Sequence, residues 1–137
     1  MNRKKSREAA MKILFQNSFN DIPLNEILDD CEMYFEELEL EGSDKEFIKR
    51  IVTGVNSNIS KINDIIEENS ENWKISRISK INLSILRISI YEMLFSEDVP
   101  GKVSINEAIE LCKKYSDEKS VSFVNGLLDK VYKSTNK

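Results

Sequence analysis

Between residues 81 and 95 the sequence reads INLSILRISIYEMLF, apolar on nearly every face of a helical projection. A segment of that kind has to lie in the middle of whatever the chain builds. The alternation of Ile81, Leu83 and Ile85 with Asn82 and Ser84 imitates a strand. A strand of this length would be far longer than the usual run of about five or six residues, and no turn residue interrupts it. The segment is therefore read as a central helix. Arg87 and Glu92, polar groups on a crowded helix, are read as partners of other buried groups and not as reactive ones.

Only four glycines and two prolines punctuate the 137 residues, so what surrounds this helix must also be long helices. Ahead of it, Ala10, Met11, Ile13, Leu14, Phe15 and Phe19 form a broad apolar arc on a first helix that ends near residue 20. Asp21-Ile22-Pro23 opens a second, with proline near the first helical position where its missing N–H costs nothing. Its stripe of Leu24, Ile27, Leu28, Cys31, Phe35 and Leu38 runs to about residue 40, and Gly42 ends it. Ser43 and Glu46 form a capping box for a long third helix, residues 44–68, with Ile48, Val52, Val55, Ile59, Ile62 and Ile66 on one stripe. Gly54 in its interior costs about 1 kcal/mol against alanine, which implies a close helix–helix contact there. Ser70 caps a short fourth helix around Trp73 and Ile75, stopping near Ser79.

Beyond the central helix, Val99-Pro100-Gly101 is a breaker. Ser104 and Glu107 form a second capping box, ahead of a stripe of Ile105, Ala108, Ile109 and Cys112. Ser116-Asp117-Glu118 separates that helix from the last one, which carries Val121, Val124, Leu128 and Val131. The apolar period runs through Asn125-Gly126 without a break, so Gly126 is read as a second point of close helix approach. The lysine-rich tail, 130–137, is expected to fray. Seven helices with short connections make an all-α fold, a compact bundle in one domain spanning residues 1–137.

The chemistry a helical bundle can carry is narrowed by what is missing. There is no histidine, and no phosphate-loop, nucleophile-elbow or zinc-protease motif. Cys31 and Cys112 sit singly on apolar faces, outside any zinc-ligand spacing, and are read as small buried hydrophobes in a reducing cell. Glu26, Asp29, Asp30, Glu32, Glu36, Glu37 and Glu39 form the outer face of the second helix. Without a histidine among them they are read as surface acidity and not as a metal or acid–base site. A binding protein is expected, with no enzymatic activity and no cofactor. No apolar run is long enough to span a membrane and no signal peptide is evident, so a cytoplasmic location is expected.

Charge is distributed unevenly. The net charge is −4, yet Arg3, Lys4, Lys5, Arg7 and Lys12 stand against Glu8 alone within the first twelve residues. A basic end on an acidic body suggests an anionic partner for that end. Lys5, Lys12 and Gln16 share one polar stripe of the first helix, suited to phosphates with an amide able to read a base edge. A solvated face with a loose tail would show the same pattern.

The motif P-x-K-V-x-I-N-E-A-I-E-L at 100–111, followed by F-V-N-G-L-L-D at 123–129, resembles the NusB family of bacterial transcription antitermination factors. Ile85-Leu86-Arg87-Ile88 running into Tyr91-Glu92, and Arg7-Glu8-Ala9-Ala10 after the basic run, extend the resemblance over essentially the whole chain. It implies two three-helix subdomains packed through a shared long helix. It also implies binding of single-stranded boxA-type RNA together with the ribosomal protein NusE, in the elongation complex of RNA polymerase with other Nus factors. The residues expected to hold RNA are Arg3, Lys4, Lys5, Arg7, Lys12 and Gln16. Phe123, one position off the Val124 stripe, presents a ring for base stacking. Two alternatives stand beside this reading: a protein–protein adaptor using its acidic face, and the NusB-like helical domain attached to certain RNA methyltransferases. That last family continues into a cofactor-binding domain, which this sequence lacks.

Overall fold

The strand-like alternation of the central segment is overridden by its surroundings. In the computed structural model it forms helix α5 (Lys80–Phe95), with residues from Asn82 to Met93 buried on nearly all sides. Ser79 caps it by accepting the Asn82 backbone N–H at 3.2 Å, and the Ser84 hydroxyl donates to the Lys80 carbonyl at 2.8 Å. Both serines are thus satisfied within the helix, leaving Ile85, Leu86, Ile88, Ile90 and Met93 to fill the core.

The structure describes residues 3–18, 23–38, 42–71 and 73–135. Among them are seven α-helices, a 3-10 turn and no strand: α1 (Arg3–Asn17), α2 (Leu24–Leu38), α3 (Gly42–Ser57), α4 (Ile59–Asn69), the turn Ile75–Arg77, α5, α6 (Gly101–Tyr115) and α7 (Glu118–Thr135). Helices α1, α2 and α3 pack on one another, as do α5, α6 and α7, and α5 is the helix the two groups share. Phe19, Asp21, Ile22, Glu39 and Leu40 lie outside the described residues, as do the side chains of Leu24, Asp30, Glu37, Leu38 and Ser43.

The helix inventory differs from expectation in its middle. The long third helix is two, α3 and α4, divided at Asn58. Asn58 has φ −114° and ψ 20°, and its side-chain amide donates to the Gly54 carbonyl at 2.8 Å, beside its own backbone N–H at 3.1 Å. A short amide that bonds the preceding turn competes with the helical ladder. The apolar stripe continues across the break because Ile62 and Ile66 bury as fully as Ile48 and Val52. The fourth helix around Trp73 is not formed, and only the 3-10 turn is present. Ser70 ends α4 instead of starting a helix, donating to the Glu67 and Trp73 carbonyls. Glu71 follows in the left-handed region at φ 54° and turns the chain out.

Gly54 is a point of close approach, as expected. A Cβ added there would lie 2.1 Å from Tyr91 Cε1. Gly126 is not: it is exposed, with nothing within 4 Å of such a Cβ. Helix α3 begins at Gly42, so Ser43 lies within it and not at its cap. The tail remains helical to Thr135 where it was expected to fray, with Lys130 and Lys133 paired to Glu71 and Asp129.

The expected capping box at Ser104 is also absent, because α6 starts one turn earlier with Pro100 at its N-cap. Ser104 is buried, its hydroxyl 3.0 Å from that of Ser89 and donating to the Ser89 carbonyl at 3.2 Å. This small polar pair lets α5 and α6 approach. Replacing Ser104 by alanine strands the Ser89 hydroxyl away from water and is expected to cost about 1–3 kcal/mol. Replacing Ser89 should cost less because Ser104 still donates to the Ser89 carbonyl, and replacing both should cost less than Ser104→Ala alone. Urea denaturation of the three variants measures this, and an additive double variant would refute the pairing.

Candidate nucleic-acid interface

The five N-terminal cations separate by side-chain type. Arg3 and Arg7 turn inward and Lys4, Lys5 and Lys12 remain exposed. The Arg3 guanidinium carbon sits 3.8 Å from the centre of the Phe47 ring, and that of Arg7 5.5 Å from it. Arg7 is 5% exposed and grips Glu92 of α5 with both ends of its fork, Nε to Oε1 at 2.9 Å and Nη2 to Oε2 at 2.8 Å. A planar, weakly hydrated guanidinium tolerates such a site; an ammonium holds its water more strongly and stays outside. Arg7 therefore has a structural task, joining α1 to α5. That burial leaves the Arg7 guanidinium, expected among the phosphate-holding side chains, engaged with Glu92 and turned away from solvent. Glu92 does what was expected of it, with Arg7 as the partner.

Gln16 is exposed with Lys5 and Lys12 on the same helix. Helix α6 adds two lysines that the sequence reading passed over, Lys113 and Lys114. They lie in its last turn, where lysines are commonplace because cations interact favourably with the negative end of the helix dipole. With Lys4 they line a groove between α1 and α6 that also holds Glu8, Glu107 and Glu110. Glu8 organises this face. Lys114 donates to it at 2.9 Å, Lys12 lies 3.7 Å away, and the Tyr115 hydroxyl also donates to it. Partial burial works to raise the Glu8 pKa, but the bonds from Tyr115 and Lys114 and the charges of Lys114 and Lys12 outweigh it, so the pKa falls below the usual range. The Lys12 ammonium stands 5.7 Å over the Tyr115 ring.

From Tyr115 the polar path continues. Ser116 donates to Asn82 Oδ1 at 3.1 Å, and Asn82 Nδ2 donates to Ser120 Oγ at 2.9 Å. Asp117 caps α7 by accepting the Ser120 N–H at 2.8 Å, a bond that leads the causes lowering its pKa. One turn on, Phe123 is half-buried at the edge of the core stripe, its ring centre 6.0 Å from that of Trp73. Trp73, expected within a helix, sits on the irregular stretch after α4 and is 52% exposed. The exposed lysines of α1 and the ring of Phe123, far apart in sequence, are thus joined through α6 and the start of α5. The thiol of Cys112 lies beneath this region, pushed up to about 11 by burial and by Asp117, and has no reactive character.

Comparison with known proteins gives a consistent result. A family model described as the NusB family matches residues 4–133. The chain is 53% identical over 135 residues to the transcription antitermination protein NusB of Clostridium acetobutylicum, covering 98% of each. Among solved structures it is similar to NusB of T. maritima, with TM-score 0.85, 37% identity and coverage of 97% of this chain and 92% of that one. It is also similar to a chain in the crystal structure of antitermination factors NusB and NusE in complex with dsRNA, with TM-score 0.84, 27% identity and coverage of 96% of each.

Proposed function

Because the chain belongs to the NusB family of transcription antitermination proteins, which are not enzymes, we propose that it binds a single-stranded boxA-type element of nascent ribosomal RNA. It does so together with the ribosomal protein NusE, and couples that RNA to elongating RNA polymerase with other Nus factors in the cytoplasm. Residues 1–137 serve as one RNA-binding domain. The observation that carries this reading is the track running from the exposed lysines of α1, past Lys113 and Lys114, to Phe123, on a chain whose net charge is −4. Lys4, Lys5, Lys12, Lys113 and Lys114 hold phosphates as point charges, with Arg3 at the margin and Gln16 within reach of a base edge. An unpaired base stacks at Phe123.

Titration of labelled single-stranded RNA against salt, with and without NusE, tests it. If about three to five phosphates are neutralised, log K falls with log salt at a slope of roughly −2 to −3.5. Changing Lys4, Lys5, Lys113 and Lys114 to alanine should flatten that slope and leave helicity intact. An unchanged slope in this variant overturns the assignment of the face. No binding at low salt, with or without NusE, would favour instead an adaptor that docks a basic protein on the acidic face of α2.

A further inference from the structure

We infer that Trp73 is a second base-stacking position beside Phe123, so that the track ends in a two-ring platform for unpaired nucleotides. The inference rests on the RNA-binding reading above and extends it to a residue outside the basic tract. Trp73 is the one tryptophan of the chain and is 52% exposed, an unusual position for so large a ring. It is nonetheless held in place. The Ser70 hydroxyl donates to the Trp73 carbonyl at 2.6 Å, and the Phe123 ring lies against the indole at 6.0 Å and 45°.

That spacing is too close, and the tilt too steep, for a base to be sandwiched between the two rings. Trp73 instead keeps exposed ring surface, and Phe123 is partly exposed beside it. The groove beside them has the makeup a nucleotide requires. Arg77 and Lys119 line it together with one carboxylate, Asp117, which is engaged in capping α7; Asn82 and Ser120 add polar groups, and the two rings supply apolar surface. Asn82 is 6% exposed and held by Ser116 and Ser120, so its amide is oriented and not freely rotating. Cations for phosphate, a fixed amide for a base edge and a broad π-face converge on single-stranded nucleic acid. An apolar protein segment would leave Arg77, Lys119 and Asn82 without use.

The lone tryptophan supplies its own reporter. Titrating the full chain with single-stranded RNA should quench its intrinsic fluorescence in step with binding followed by anisotropy of labelled RNA. The same sequence annealed into a duplex should quench little, because its bases are paired. Trp73→Ala should weaken single-stranded RNA binding by about 5- to 150-fold, with circular dichroism unchanged and the salt slope preserved, while Trp73→Phe should retain most of the affinity. RNA that binds the parent and is lost on lysine substitution, without quenching and without sensitivity to Trp73→Ala, overturns this inference alone. Failure of RNA to bind the parent at all removes the RNA-binding reading with it. Quenching by NusE alone, with none from RNA, assigns the rings to a protein contact and also overturns the inference.

Discussion

Replacing Glu92 by alanine is expected to lower stability by about 3–5 kcal/mol, because it leaves the Arg7 guanidinium buried without its counter-charge. The side chains are 6% and 2% exposed, and three nitrogen–oxygen contacts between 2.8 and 3.1 Å hold them together. Against a total stability of about 5–15 kcal/mol for a typical domain, that loss brings the chain near its folding limit. Arg7→Ala should behave similarly. Arg7→Met combined with Glu92→Leu should recover much of the loss, since neither remaining side chain pays to leave water. The urea midpoints of the three variants are the measurement. The double variant also separates structure from binding: with Arg7 turned away from the solvent face, its RNA salt slope should match the parent. A flattened slope at unchanged stability would return Arg7 to the phosphate contacts.

Arg7 also shows where sequence reading stops. Helical periodicity located the core well, since Ile48, Val52, Val55, Ile62 and Ile66 bury as their spacing requires and α5 is central. The breaks were less legible. Asn58 divides one apolar stripe into two helices through its own side-chain bond, a competition that a stripe of isoleucines conceals. Ser104 carries the pattern of a helix cap and serves a buried hydroxyl pair, because the helix starts earlier, with Pro100, four residues before it, at the N-cap. In the site, the five cations of the first twelve residues look alike in sequence. Which of them faces water depends on Phe47 and Glu92, both distant in sequence. Lys113, Lys114 and Trp73 carry no local sign of a shared surface for the same reason, as only the packing of α1, α5, α6 and α7 brings them together.

Adding a single methyl group at Gly54 is expected to destabilise the chain, against the preference of a helix interior. Alanine gains about 1 kcal/mol over glycine from helix propensity. Here its Cβ would lie 2.1 Å from Tyr91 Cε1 and 2.3 Å from Cζ, so the ring or one of the two helices must move. The ring has little room, being mostly buried and stacked on Phe95 at 5.8 Å and 24°. Overpacking of this kind costs about 1–3 kcal/mol, and the net sign should be a loss. Tyr91→Phe removes the hydroxyl contact at 2.6 Å but gives little relief, because the two closer carbons remain. In a Tyr91→Ala background the obstruction is gone, and Gly54→Ala should then stabilise by up to about 1 kcal/mol. This reversal of sign, read from denaturation midpoints in a double-mutant cycle, is the decisive result. A raised midpoint for Gly54→Ala in the parent would show that the crossing of α3 and α5 can open. That crossing also seats α5, which carries Glu92 against Arg7 and Asn82 beside the aromatic rings. If the methyl group is accommodated by a shift of α5, the folded Gly54→Ala chain should therefore bind RNA more weakly than the parent, whereas movement of the Tyr91 ring alone should leave its affinity unchanged.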